Sequence, residues 1–329
     1  METALDLSRW REAPRGVGYR RWTIIRTGLR QISSTRFFRI LIYTAWVAGT
    51  AIAALGFAFS QSIATGGWLE AVAHNISPRA EALVIAMGGL VALYPDVCVG
   101  TVFTLIFWAH SYVGLTLTLL ALTAMITQLI TRDRASNALT IYLSRPLTSG
   151  DYLLGKLGMI VGVILLVWTG PLLLGWLLSM VLSSERDMIV YSFEPFMRAL
   201  AFNGIALVVL APLTLGISAL SRSAPGTMAM WLGLWLAGWL LAGFPNASPW
   251  LRNSSFMHDL GEMRRKVLRL DSALSSFSTD LPILSEQFTD NLQRKADSLQ
   301  AKDVSGATTG LVVLVVLSSA VCFRRIRPE

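Results

Sequence analysis

The sequence predicts an all-α polytopic membrane protein: six transmembrane helices with both termini cytosolic, a basic amphipathic N-terminal helix and an extracytoplasmic helical hairpin. Three observations predict it. Of the 329 residues, 53% are hydrophobic and only 15% charged, against about a quarter charged in ordinary soluble domains. Long stretches lack Asp, Glu, Lys and Arg altogether and approach the ~20 apolar residues that a helix needs to cross the hydrocarbon core. The basic residues gather in alternate connecting segments, which is how a multi-pass chain declares its inside face.

In chain order the spans are Ile40 to Leu69, with its apolar heart ending near Phe59, then Val97 to Thr131, Leu157 to Leu182, Ala199 to Ser221, Ser223 to Ser248 with its apolar part ending near Phe244, and Ala307 to Phe323. The second is longer than a crossing requires, so part of it must tilt, bend or leave the membrane. A further apolar run, Ala82 to Leu93, is too short to cross and is expected to be interfacial or re-entrant. Pro171 and Pro212 fall mid-span and are expected to kink the third and fourth helices. Gly155, Gly158 and Gly162 share one face of the third and permit a close helix approach.

The charge count sets the orientation. Residues 1–39 carry nine arginines against three acids, 131–156 four basic against two acidic residues, and Arg222, Arg324, Arg325 and Arg327 fall on the same side. The opposite segments are acidic or balanced: 60–96 and 183–194 each hold one Arg against three acids, and 245–305 holds eight of each sign. The net charge of +8 therefore belongs mainly to the cytosolic membrane face. It argues for contact with membrane lipids and against nucleic acid. The opening METALDLSRWREAPRG has no apolar core behind its charges and is not expected to be a signal peptide. Cys98 and Cys322 cannot make a disulfide framework or a four-ligand metal site.

The chain thus divides into a cytosolic interfacial segment (1–39), spans one to five (40–244) with a cytosolic loop at 131–156, an extracytoplasmic loop (245–305), and the last span with a basic tail (306–329). In residues 20–38, Trp22, Ile25, Leu29 and Ile32 recur at helical spacing while Arg20, Arg26, Arg30 and Gln31 fall elsewhere on the wheel. That pattern suits a helix lying on the inner leaflet. In the extracytoplasmic loop, Met257, Leu260, Met263, Val267, Leu270, Leu274 and Phe277 form one helical stripe, with Asn253 to Ser255 as caps and a break at Ser278 to Pro282. Leu284, Phe288, Leu292 and Leu299 suggest a second helix, completing a hairpin. Packing against the outer span ends is the simpler role, because any amphipathic helix must bury its stripe; a dock for an extracytoplasmic partner is the functional alternative.

The strongest local signal is RDRASNALTIYLSRPLTSGDYLLGK at 132–156. A charged start leads into a short helix-compatible run, which Ser144-Arg145-Pro146 ends because the residue before proline is pushed out of the helical region. Ser149 to Asp151 is a plausible cap for the next helix. The result is a rigid knuckle at the membrane surface. The motif Gly150-x-x-x-x-Gly155-Lys156 imitates a phosphate-binding loop, but Leu157 stands where magnesium binding needs Ser or Thr, and the segment opens a membrane helix. No other nucleotide-binding motif occurs, so the chain is not expected to be an enzyme.

This stretch resembles the first cytosolic loop of the permease subunits of type-2 ABC exporters. The resemblance rests on Asp133-Arg134, on Leu143-Ser144-Arg145-Pro146-Leu147-Thr148 and on Leu153-Leu154-Gly155-Lys156; it departs at Asp133, where glutamate is usual, and at Asn137-Ala138, where Gly-Thr is common. It implies an export permease of the bacterial inner membrane, forming the pathway with a second copy or a paralogue. A cytosolic ABC ATPase dimer, carrying the ATP and Mg, would grip the knuckle through Arg134, Asn137, Leu139, Tyr142, Ser144, Arg145 and Pro146. No cofactor is implied on this chain.

Inside the spans, His110 and Asn203 are ionisable or polar residues at membrane depth, candidates for a pathway or for bonds between helices. Helix-to-helix bonding is preferred, since no span carries an acid to orient His110. The same lack weighs against an intramembrane enzyme and against an ion-coupled carrier. Trp231, Trp235 and Trp239 repeat at four residues through the middle of the fifth span, suiting either packing or the wall of a cavity or dimer interface. The alternative to a permease is a membrane scaffold or assembly protein using 245–305 to bind its partner.

Overall fold

The computed structural model describes residues 16–63, 67–136, 148–183, 186–243, 255–280, 286–300 and 304–326. These are helical throughout apart from short turns, with no strand among them. Among the described residues, six helices are long and apolar enough to cross a membrane.

Helix α1 (Val17–Ser33) ends where Ser34 and Thr35 turn the chain into α2 (Arg36–Ile63), the first span. After α3 (Trp68–Ile76), the Ser77 hydroxyl accepts the Ala80 N–H and Pro78 occupies the first turn, which starts α4 (Pro78–Leu93). The run Ala82 to Leu93 is thus most of one helix. It leans on α2 with Gly88 against the Ser62 carbonyl, and leaves Leu83, Ile85, Met87 and Leu93 exposed.

Helix α5 (Pro95–Ala135) is the second span, 41 residues long. Near its end Thr127–Thr131 forms a π turn. Such a turn frees backbone groups, and Ser218 from another helix satisfies them. Its Oγ accepts the N–H of Ile130 (2.9 Å) and Thr131 (3.2 Å) and donates to the Ile126 carbonyl (2.8 Å). Helix α6 (Ser149–Leu182) begins eight residues earlier than its charge-free stretch, because Thr148 and Asp151 form a capping box. The expected proline kink is a π turn, Leu165–Thr169, directly before Gly170-Pro171.

Helices α7 (Arg186–Leu220) and α8 (Ala224–Gly243) are the fourth and fifth spans. The stripe from Met257 to Phe277 is two helices rather than the single one expected. Ser255 caps α9 (Phe256–Leu268), Arg269 adopts the left-handed conformation with φ 49°, and α10 (Leu270–Asp280) follows. Helices α11 (Glu286–Gln300) and α12 (Ser305–Ile326) complete the chain, α12 being the sixth span.

Spans α5 and α7 form the centre, with 61% of their most apolar windows buried, against 17% for α8 and 22% for α12 at the rim. Helix α2 runs along α6 through small residues: Gly49 meets Pro171 and Gly175, and Gly56 meets Ser179. Helix α7 runs along α12, where Gly216 meets Ser318. Helix α9 dips back among the spans. The Ser255 hydroxyl donates to the Gly238 carbonyl (2.6 Å), and Phe256 and Leu260 join the core that holds Trp231. The stripe is therefore spent on packing, yet α9 also buries Asp259, Glu262 and Arg264. Burial pushes the Asp259 carboxyl up to about 7. Helix α10 lies against the start of α5, where the Thr101 hydroxyl donates to the Ala273 carbonyl (3.2 Å).

Candidate functional site

Of the seven residues expected to couple the knuckle, Arg134 is described; Asn137, Leu139, Tyr142, Ser144, Arg145 and Pro146 lie outside the described residues. What the structure defines is the frame from which that segment springs, on both sides.

On the entering side, α5 ends in Arg132-Asp133-Arg134. The Arg134 guanidinium hydrogen-bonds the Ala219 carbonyl at the end of α7. One turn earlier, the Thr131 hydroxyl bonds Ser218 and Thr227 (2.9 Å), so the second, fourth and fifth spans meet at one polar knot. On the leaving side, Asp151 completes the Thr148 cap and receives the Arg21 guanidinium of α1 (Nε to Oδ1, 2.9 Å). The two sides are tied together by Asp133. Its carboxylate takes the Lys156 ammonium at 2.7 Å and the Tyr152 hydroxyl at 2.6 Å. Lys156 also donates to the Gln128 carbonyl (3.3 Å). Lys156 is 7% exposed and Tyr152 1%, so this is a buried, charge-assisted network and not a surface pair.

Helix α1 closes the frame. The glycine face on α6 is its seat: Gly155 faces Ile24, Gly158 faces Ile25 and Gly162 faces Leu29. A side chain at any of the three would push α1 away. Between α1, α5 and α6 remains a cleft of about 370 Å³, polar on the side of Gln128, Asp133 and Lys156 and apolar at Ile24 and Met159. The imitation phosphate loop lies within α6: Gly155 and Lys156 are helical, and the lysine is committed to Asp133.

The intramembrane candidates fall into two groups. His110 and Asn203 converge on the π turn of α6. The His110 ring hydrogen-bonds the backbone of Trp168 while its Nε2 is buried without a partner, and Asn203 Nδ2 donates to Thr169 Oγ1 at 3.4 Å. Trp168 itself fills the space left by Gly114 and packs edge-on against Phe202. The tryptophans of α8 diverge from these and from one another. Trp231 is buried and donates to Thr123 Oγ1 (2.8 Å), whereas Trp235 and Trp239 line an open apolar hollow of about 490 Å³ with Leu232 and Leu236. Four-residue steps drift around a helix by about 40° each, so a stripe drawn through Trp231 and Trp239 passes from the core to the rim.

Sequence reasoning did not single out Arg21, Tyr152 or Ser218, read Asp151 only as part of a helix cap, and used Asp133 and Lys156 only as matches to a motif. One signal was available for the last pair. The chain has four lysines, and the one opening a membrane helix needs a carboxylate within reach.

The family model described as ABC-2 family transporter protein matches residues 36–323, which take in all six spans and the whole 132–156 stretch. No curated protein matches the chain. The chain belongs to the ABC-2 family of transporter permeases, a multi-pass membrane protein built on six apolar helices.

Proposed function

We propose that the chain is the membrane-spanning subunit of an ATP-driven exporter in a bacterial inner membrane. Two permease copies, or this chain and a paralogue, form the pathway. A separate cytosolic ABC ATPase dimer binds ATP and Mg and grips residues 134–146. The arginine-rich ends of the spans face the cytosol, a reading that the charge asymmetry supports.

The observation that carries this reading is the buried frame at the root of the knuckle. A loop that merely joined two spans would not need its ends locked by Asp133, Tyr152 and Lys156, nor braced to α1 through Arg21 and Asp151. With those bonds in place, a push on 137–147 reaches the second and third spans and α1 together. Through Arg134 and Thr131 it also reaches the fourth and fifth. ATP-driven closure of the ATPase dimer then rocks the spans as bodies, with the π turns as places where they can bend.

The test is purification of the tagged chain from its native membrane in mild detergent, alongside the Arg145→Ala/Pro146→Ala double variant. A stoichiometric ABC ATPase accompanies the intact chain and is lost from the variant. Absence of any ATPase from the intact chain, even after crosslinking, overturns the reading.

A further inference from the structure

The end of the bundle opposite the coupling frame carries an open cleft of about 360 Å³, walled by α10 and by the first turns of α5 and α7. Its size falls within the range of small-molecule sites, about 300–1,000 Å³. The lining runs from Asp96 to Thr104 on α5 and from Ser272 to Asp280 on α10, which is about 12 Å along each helix. The cleft is therefore elongated.

Its charge is lopsided. Asp96, Glu194 and Asp280 line it against a single cation, Arg198, and Arg198 is taken by Glu194 one turn away. Asp96 and Asp280 have neither a cation nor a hydrogen-bond donor among the described residues. Asp280 also stands in the last turn of α10, where the negative end of the helix dipole disfavours a carboxylate. An independent observation lies deeper. Thr104 lines the same cleft and is 2% exposed. Helical threonines commonly return their hydroxyl to the carbonyl one turn back, as Thr123 and Thr214 do, and the neighbouring Thr101 is taken by Ala273. The Thr104 hydroxyl bonds to nothing among the described residues and is left for what enters the cleft.

These groups say what that is. Two unpaired carboxylates and a free hydroxyl oxygen are acceptors, so the ligand brings donors and positive charge. No cluster of His, Cys, Asp and Glu among the described residues could hold a metal ion, which favours ammonium groups on a chain over a bare cation. Val97 and Val190 on the walls suit the methylenes between such groups.

We propose that this cleft binds a linear aliphatic polyamine on the extracytoplasmic side, its ammonium groups facing Asp96 and Asp280 and one N–H donating to the Thr104 hydroxyl. Only the side of the membrane rests on the orientation proposed above; binding needs neither transport nor an ATPase.

The full chain in nonionic detergent is titrated by calorimetry with spermidine, with calcium and with the uncharged hexanediol. Spermidine binds, more weakly as salt rises because the carboxylates are exposed, and calcium and hexanediol do not. Thr104→Val, which keeps the shape, weakens spermidine binding about tenfold, the lower range for a hydrogen bond to a charged group, and leaves the melting temperature unchanged. Asp96→Asn and Asp280→Asn each weaken it severalfold. A Cβ on Gly100, which also lines the cleft, meets nothing within 4 Å. Gly100→Leu therefore fills the cleft and abolishes binding while the chain melts no lower, since leucine is the better helix former. The proposal is overturned if spermidine does not bind the native chain, if Gly100→Leu leaves its binding intact, or if calcium binds as tightly and competes with it. It is also overturned if Thr104→Val lowers the melting temperature without changing spermidine affinity, which would make the hydroxyl a packing element.

Discussion

Lys156 and Arg264 are both buried cations, and the fold treats them oppositely. Lys156 has a carboxylate at 2.7 Å and a backbone carbonyl at 3.3 Å; Arg264 has no carboxylate partner among the described residues and relies on Tyr112, through its ring face and a side-chain hydrogen bond. Desolvating a charge is expensive, and removing one member of a buried pair leaves the other uncompensated at a cost of about 3–5 kcal/mol, whereas removing both is often near neutral. Lys156→Met should therefore lower the melting temperature strongly. Asp133→Asn combined with Lys156→Met should recover most of the loss, since the Tyr152 hydroxyl can still bond the new amide. A double variant as unstable as the sum of the two singles would mean that Asp133 and Lys156 act separately and that the frame is not a unit. Such a pair is poorly legible in sequence. Asp133 and Lys156 are 23 positions apart, and only the return of α6 alongside α5 brings them together.

At the scale of elements, glycine decides which helices touch. On Gly175 a Cβ would lie 2.4 Å from the Gly49 carbonyl oxygen, a backbone atom that cannot swing aside, while on Gly204 it would meet nothing within 4 Å. Gly175→Ala should therefore part α2 from α6 and destabilise the chain by about 1–3 kcal/mol, the range for overpacking. Gly204→Ala, also within a span, should be neutral or stabilising by up to about 1 kcal/mol through helix propensity. Denaturation of both variants in the same detergent measures the contrast, and equal effects would refute the close approach. The glycine face at 155, 158 and 162 was legible as a place of close contact, but its partner was not. Periodicity says which side of a helix is narrow and is silent on what fills it. Here α1 fills it, a helix whose stripe read as suited to lying on the inner leaflet. The π turns were hidden for a related reason. The one in α5 is completed by Ser218, 87 positions from Thr131, and a local reading of α5 shows only an over-long apolar run. The break at Arg269 was missed because arginine carries no signal for a left-handed turn, which glycine or asparagine would have announced.

At the scale of the molecule, the small-residue contacts and polar ties sort the helices into two bodies that share one apolar core. One is α1, α2 and α6, joined by the glycine contacts and the Arg21–Asp151 pair. The other is α5, α7 and α12 with α9 wedged among them, joined by Ser218, by Gly216 against Ser318 and by the core around Phe256. The number of spans was legible because the hydrocarbon core imposes a length on every crossing; this partition was not, because it depends on which helices share small residues. The Asp133–Lys156 pair, the Asn203–Thr169 bond and the packing of Trp168 on Gly114 and Phe202 are among the contacts that hold the bodies together. If the knuckle drives transport by rocking, the bodies must move relative to each other while each keeps its shape. Spin labels report this directly, and with Cys98 and Cys322 both buried introduced cysteines can be labelled selectively. Ile40, Val181 and Phe323 are all exposed. In a complex with the proposed ATPase, the Ile40–Val181 distance, within the first body, should be the same with and without trapped ATP. The Val181–Phe323 distance, between bodies, should shift. A shift within the first body would dissolve the partition. No shift in either, in a complex that hydrolyses ATP, would mean that force on the knuckle does not reach the spans through this frame.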